Sequence, residues 1–134
     1  MNEGELKQRT KVFALRILKL VDELPTKVSS RVLANQIARS GTSVAANYRS
    51  ACRGRSKAEF IAKLGIAEEE ADETEFWLEL IEGHGLAPAP KLAALRDEAG
   101  QLTAILTASR ITAVRNSPRR PLQSAIENRQ SKMP

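Results

Sequence analysis

The residues with the most distinctive chemistry in this sequence are four bases near its middle. Arg49, Arg53, Arg55 and Lys57 lie close together in the chain, and Glu59 is the only acid near them. Guanidinium and ammonium groups crowded in this way bind phosphate oxygens electrostatically and without reading the base sequence. No aromatic residues are interleaved with these bases, so stacking of single-stranded bases is not expected. The cluster predicts a nucleic-acid-binding surface without sequence preference.

A second group of polar side chains recurs at intervals of three and four residues, which places them on one helical face. Its members are Gln36, Arg39, Ser43 and Asn47. Polar groups on a helix otherwise suited to burial need hydrogen-bond partners. Acids further along the chain, Glu70 and Glu73 among them, are expected to supply those partners, unless a neighbouring subunit does. We interpret the group as a structural polar network, with direct ligand binding as the alternative.

Residues suited to catalysis or metal binding are scarce. The single histidine, His84, lies in a Gly-His-Gly turn, whereas a metal site needs several His or Cys ligands. Cys52 is followed by Arg53, which can lower the pKa of a thiol, but a small apolar filler is the favoured interpretation. No glycine-rich phosphate loop, GxSxG elbow or HExxH motif is found. The sequence therefore predicts no catalytic site, no metal and no cofactor, and we do not expect an enzyme.

Opposite charges are segregated along the chain. Residues Thr26 to Lys63 hold eight bases and one acid, whereas Glu68 to Glu82 holds eight acids and no base. One interpretation is that two neighbouring helices neutralise each other across a shared face. The two blocks are offset, however, so the bases near the intervening turn are expected to remain without acidic partners.

Four helices are expected to carry these groups. The first is predicted over about Glu5 to Leu24, because Phe13, Ile17, Leu20 and Leu24 share one face. The second is predicted over about Ser29 to Cys52, with Val28, Val32 and Leu33 beginning its apolar side. In the second helix, Gly41 lies in a stretch of small residues, 40–46, that would let a neighbouring backbone or subunit approach closely.

The third and fourth helices show heptad seams, which predict interior positions. In the third helix the seam runs Phe60, Leu64, Ala67, Ala71, Thr74, Leu78 and Ile81. Ser56 and Glu59 predict a capping box at its start, and Gly85 lies in the turn that ends it. In the fourth helix, from about residue 88 or 91 to 116, the seam runs Leu92, Leu95, Ala99, Leu102, Leu106, Ser109 and Ala113. Short connections predict an all-α, up-down-up-down antiparallel four-helix bundle over residues 1–116.

The last 18 residues, 117–134, differ from the rest. They contain three prolines, few apolar groups and a net charge of +3 out of +5 for the whole chain. They are predicted to be a disordered basic tail. The single cysteine, the absence of a secretory segment and the lack of a long uncharged stretch predict a cytoplasmic protein without a membrane span.

Residues 36–81 resemble the bacterial four-helix bundle protein family, some members of which are encoded within intervening sequences of large-subunit ribosomal RNA genes. The resemblance in the second helix is carried by Gln36, Arg39, Ser40, Ser43 and Asn47. In the next turn and the third helix it is carried by Arg55, Ser56, Glu59, Phe60, Glu73 and Glu75. Where the family usually continues Ile-Ala-Glu-Gly, this chain has Tyr48, Arg49, Ser50 and Ala51, so its turn is more basic.

The resemblance implies a bundle that assembles as a homopentamer. It also implies kinship with the accessory variability protein of diversity-generating retroelements, which binds nucleic acid and a reverse transcriptase. We therefore expect a non-enzymatic, homo-oligomeric protein that binds RNA or DNA through a basic rim or assists a reverse transcriptase. A structural or protein-interaction oligomer without a nucleic-acid role is the alternative.

Overall fold

The computed structural model describes residues 1–117. Its four helices are α1 (Glu3–Glu23), α2 (Val28–Cys52), α3 (Lys57–Gly83) and α4 (Ala89–Arg115). Each helix packs against the next, and α4 closes the bundle by returning to α1, with which it packs least extensively. This confirms the predicted all-α bundle. All of the predicted tail except Ser117 lies outside the described residues, so its disorder and the domain boundary at residue 116 remain predictions.

The helix ends follow local sequence signals, with one difference from expectation. Ser56 Oγ accepts a hydrogen bond from the Glu59 N–H at 3.1 Å, as predicted for the α3 N-cap. The Glu59 carboxylate, however, accepts from the N–H of Arg55 at 2.7 Å rather than from Ser56, so only half of the predicted capping box forms. A complete capping box lies at the start of α1, between Asn2 and Glu5, where none was predicted.

The end of α3 positions the following turn. Gly85 has a φ of 70°, which a residue with a side chain rarely adopts. The N–H of Leu86 donates to the carbonyl of Ile81 at 3.0 Å, and the N–H of Gly85 donates to that of Glu82 at 3.0 Å. These bonds form a Schellman motif, which satisfies the last carbonyls of the helix and buries Leu86 in the core.

The two predicted heptad seams form most of the core. In α3 every seam residue after Phe60 is buried, and in α4 every one except Ser109 is buried. The predicted start of the apolar side of α2 is wrong for Val28 and Val32, which are 72% and 57% exposed, whereas Leu33 packs against the core. The buried register of α2 instead runs through Ser30, Ile37, Val44 and Ala51, at intervals of seven residues. Val28 and Val32 fall outside that register and point away from the core.

The small residues of α2 bring it close to its neighbours within the same chain. A Cβ placed on Gly41 would lie 2.9 Å from Cγ2 of Ile17 in α1. On the α3 side, the hydroxyls of Ser40 and Thr74 are both buried and lie 2.8 Å apart. The stretch predicted to allow close approach is thus used inside the bundle at Ser40 and Gly41.

Across residues 1–117, no helix combines the length and the apolar character that crossing a bilayer requires.

Candidate nucleic-acid interface

The four clustered bases lie at one end of the bundle, where α2 ends and α3 begins. Arg49 is in the last turn of α2, Arg53 caps that helix, Arg55 lies in the turn, and Lys57 is the first residue of α3. All four side chains are exposed. Among residues 1–117 none of them forms an ion pair with a carboxylate. Their charges therefore face solvent without direct compensation from this part of the chain.

Arg49 and Arg53 line an open groove between α1 and α2 with a volume of about 580 Å³. Its other charged lining residues are Lys7 and Lys11 of α1, and no carboxylate lines it. We call these four residues and the space between them the basic groove. Lys7 is 3.4 Å from Glu3, one helical turn earlier, but both side chains are largely exposed. Such an exposed pair contributes little, so Lys7 remains available to another anion.

Helical spacing and antiparallel packing produce the groove. Lys7 and Lys11 are four residues apart on α1, as are Arg49 and Arg53 along α2 and its cap, so each pair lies on one face. The first turns of α1 must lie beside the last turns of α2 because the two helices are antiparallel. The floor is formed by small residues, since Gly4, Ala45 and Ala46 also line it.

Arg55 and Lys57 lie outside this groove. The backbone N–H of Arg55 donates to Glu59, which anchors the turn without using the guanidinium. Lys57 lines a separate shallow groove between α3 and α4, and its Nζ lies 5.9 Å from the centroid of the Phe60 ring. The four predicted bases therefore lie in two places. Arg49 and Arg53 line the basic groove with the two lysines of α1, whereas Arg55 and Lys57 lie on the α2–α3 turn and at the start of α3.

Lys7 and Lys11 were missed by the sequence analysis. The signal was present, because an antiparallel pair brings the start of α1 beside the end of α2. Lys7 and Lys11, four residues apart in the first turns of α1, could therefore have been predicted to lie near Arg49 and Arg53.

The residues of the predicted polar network do not form one connected set of hydrogen bonds. Arg39 Nη1 donates to Glu70 Oε1 at 3.1 Å, and its other terminal nitrogen pairs with Glu73, which links α2 to α3. Glu73 also accepts from the indole N–H of Trp77 at 2.9 Å. Asn47 Nδ2 instead donates to the carbonyl and the hydroxyl of Ser43, at 2.9 and 2.8 Å, within α2. Gln36 is half-buried and has no side-chain hydrogen bond among the described residues.

Several acids of α3 pair with α4, which the sequence analysis did not anticipate. Glu68 accepts from Arg110 Nε at 2.6 Å and from Thr107 at 2.7 Å. The hydrogen bond from Arg110 is the main cause of a pKa of Glu68 below its usual value. Arg96 of α4 lies 3.1 Å from Glu82. These pairs use acids of α3 far from the basic groove, so they do not neutralise it.

The thiol of Cys52 is not activated by its neighbour. Burial raises the pKa of the thiol, and Arg53 is not among the groups that shift it, which agrees with the favoured interpretation of Cys52 as a small filler. Burial likewise raises the pKa of the adjacent Tyr48 hydroxyl. Within residues 1–117, no cluster of three or more His, Cys, Asp or Glu side chains is arranged to hold a metal ion. The chemical property that distinguishes this end of the bundle, within residues 1–117, is its concentration of positively charged side chains.

Comparisons with known proteins agree with this fold. A crystal structure of a protein of unknown function from the S23 ribosomal protein family of Bacteroides thetaiotaomicron is 34% identical to the chain, with a TM-score of 0.77. The similarity covers 82% of this chain and 98% of that one. No curated protein matches. Residues 2–108 match the family model for the 23S rRNA-intervening sequence protein. The chain belongs to the 23S rRNA-intervening sequence protein family.

Proposed function

We propose that this protein is a non-enzymatic, cytoplasmic nucleic-acid-binding protein that holds phosphates in the basic groove. The observation that supports this proposal is the groove itself: Lys7, Lys11, Arg49 and Arg53 line one open space from two facing helices, without a carboxylate. Arg55 and Lys57 add positive charge at the same end. A phosphate backbone that lies in the groove meets bases on both sides.

The physical basis of the binding is counterion release, because each base that neutralises a phosphate frees a condensed cation. Four contacts on duplex DNA give a slope of about −3.6 in log K against log salt, which lowers the affinity about a hundredfold between 50 and 200 mM salt. The groove has no aromatic lining, so base stacking does not add to affinity. Duplexes and single strands of RNA and DNA should all bind, with little sequence preference.

A purely structural role for these bases makes a different prediction. Cations near the C-terminus of α2 stabilise its dipole by about 0.3–1 kcal/mol. If the bases have only this structural role, replacing them should slightly reduce the stability of the fold. The wild-type protein would then bind no nucleic acid in the assay.

The test compares double variants that all remove two positive charges. Arg49→Gln/Arg53→Gln alters the groove, and Arg55→Gln/Lys57→Gln alters the turn. Lys27→Gln/Arg31→Gln, at the opposite end of α2 where both side chains are exposed, is the matched control. Fluorescence anisotropy with duplex and single-stranded probes measures affinity between about 50 and 200 mM salt. We expect the groove variant to lose about two units of salt slope and the control to keep the wild-type slope.

The C-terminal tail also carries positive charge, so it requires its own control. A protein ending at Asn116 lacks Arg119, Arg120, Arg129 and Lys132. If this truncation alone abolishes binding, the tail and not the groove holds the nucleic acid. If the wild-type protein binds no probe at about 50 mM salt, where electrostatic binding is strong, the proposal is wrong.

A second candidate function is that of a protein-interaction oligomer. It is favoured by exposed apolar side chains on α3, of which Phe76 is 49% and Leu80 39% accessible. Under either candidate function we propose that the protein self-associates, with the five copies that the family resemblance implies. The resemblance also implies a reverse transcriptase as a protein partner. Sedimentation equilibrium at tens of micromolar tests self-association, and co-purification with a reverse transcriptase encoded nearby tests that partner.

A further inference from the structure

The outward surface of α1 combines positive charge with exposed apolar side chains. Between Leu6 and Val21 this helix has five bases and no acid. Val12, Leu15 and Leu18 are 42%, 56% and 40% exposed. Arg16 and Lys19 lie among them and are exposed as well. We call the surface formed by five of these residues the cationic face: Val12, Leu15, Arg16, Leu18 and Lys19.

The outward surface of α3 has the opposite charge and a similar apolar content. Ile66, Phe76 and Leu80 are exposed large apolar residues. Glu69 and Asp72 lie on the same side, are exposed, and have no ion-pair partner within residues 1–117. We call these five residues the acidic face.

The two faces lie on opposite sides of the bundle. Helix α1 packs against α2 and α4 but not against α3, so α1 and α3 are diagonal neighbours. Neither face can cover the other within one chain. Both nevertheless expose apolar side chains over several helical turns, which is more than the isolated exposure common on soluble proteins.

Charge decides which surfaces of two copies can meet. Two cationic faces in contact would oppose Arg16 and Lys19 with themselves, and two acidic faces would oppose Glu69 and Asp72 with themselves. A cationic face against an acidic face instead buries apolar groups and pairs opposite charges. We propose that a second copy of this chain docks its acidic face on the cationic face of the first, in a head-to-tail arrangement.

This arrangement leaves one face of each type free in a dimer. A head-to-tail contact therefore continues to further copies until a ring closes or a filament forms. The inference rests on the proposed self-association but not on nucleic-acid binding, since neither face includes a residue of the basic groove.

Charge reversal tests the arrangement. Arg16→Glu/Lys19→Glu makes both faces of the chain acidic, and Glu69→Lys/Asp72→Lys makes both basic. Each variant alone should associate at least tenfold more weakly than the wild type in sedimentation equilibrium at tens of micromolar. An equimolar mixture should recover contacts between unlike variants, because each such contact joins either two reversed faces or two native faces. A closed ring of five copies cannot alternate throughout, so the mixture should form open or even-numbered assemblies. The quadruple variant, with both faces reversed in one chain, should recover assembly without a partner.

The control is Lys27→Glu/Arg31→Glu, which reverses two exposed charges at the start of α2, on its N-cap and in its first turn, outside both faces. This variant should assemble like the wild type. Circular dichroism confirms that each variant is folded. If the wild type is monomeric, self-association is wrong and the inference fails with it, while the basic groove is still tested by its own assay. If the wild type assembles but the two face variants assemble equally well, or if mixing restores nothing, the head-to-tail arrangement is wrong.

Discussion

Gly41 provides the sharpest test of how α1 and α2 pack. In a helix interior, replacing glycine by alanine usually stabilises by about 1 kcal/mol, because the unfolded chain loses freedom. At Gly41 the new Cβ would lie 2.9, 3.0 and 3.1 Å from three carbon atoms of Ile17. Ile17 is fully buried and cannot swing aside. Overpacking of this kind costs about 1–3 kcal/mol, so the net effect should be a loss of about 1 kcal/mol.

Two other glycines provide matched controls for the same substitution. At Gly100 of α4 the nearest atom to a new Cβ is a carboxylate oxygen of Glu75 at 3.8 Å, and at Gly65 of α3 it is Arg110 Cδ at 3.7 Å. Both are ordinary van der Waals contacts. Gly100→Ala and Gly65→Ala should therefore stabilise the protein by up to about 1 kcal/mol, opposite in sign to Gly41→Ala.

The measurement is urea unfolding followed by circular dichroism, at one protein concentration because self-association would otherwise shift the apparent stability. In an Ile17→Ala background two of the three crowding atoms are gone, so the penalty of Gly41→Ala should shrink. If Gly41→Ala stabilises as much as Gly100→Ala, α1 and α2 do not approach each other closely enough at Gly41 for Ile17 to crowd a new Cβ.

Three further predictions concern the core and the buried polar groups. Leu78→Ala should destabilise by about 2–5 kcal/mol in the same assay, since Leu78 is fully buried, and an unchanged midpoint would contradict its interior position. Thr74→Val should cost about 1–3 kcal/mol because Ser40 loses its buried hydrogen-bond donor, and Ser40→Ala/Thr74→Val should cost less than the sum of Thr74→Val and Ser40→Ala; a double loss equal to that sum would show that the pair does not interact. Arg110 lowers the pKa of Glu68, so that carboxylate contributes stability above its ordinary pKa near 4.5 and loses it as the pH falls through its lower folded value. Glu68→Gln should therefore reduce stability at neutral pH and flatten the acid limb of stability against pH; an unaltered acid limb would exclude the linkage.

The sequence predicts the helices and most of the core because heptad spacing persists through α3 and α4. It fails at the start of α2, where Val28 and Val32 look apolar but fall outside the buried register. The packing of α2 against α1 and α3, and not the hydrophobicity of its side chains, determines which face of α2 is buried. Within the candidate site, the bases of the α2–α3 turn are visible as a cluster along the chain. Lys7 and Lys11 are distant in sequence and join the groove only through antiparallel packing.

Distance along α3 keeps the basic end of the bundle positive, although the same helix carries eight acids and no base between Glu68 and Glu82. The first of those acids, Glu68, follows Lys57 by 11 residues, which is about 16 Å along α3 at 1.5 Å per residue. At physiological ionic strength, exposed charges are screened over about 8 Å. The acids are therefore too far away to cancel the field at the turn, and Glu68 is already bound by Arg110. A phosphate approaching the end of the bundle consequently meets bases whose nearest acids are the exposed Glu3 and Glu59, while Glu69 and Asp72 of α3 remain available to other contacts along its side.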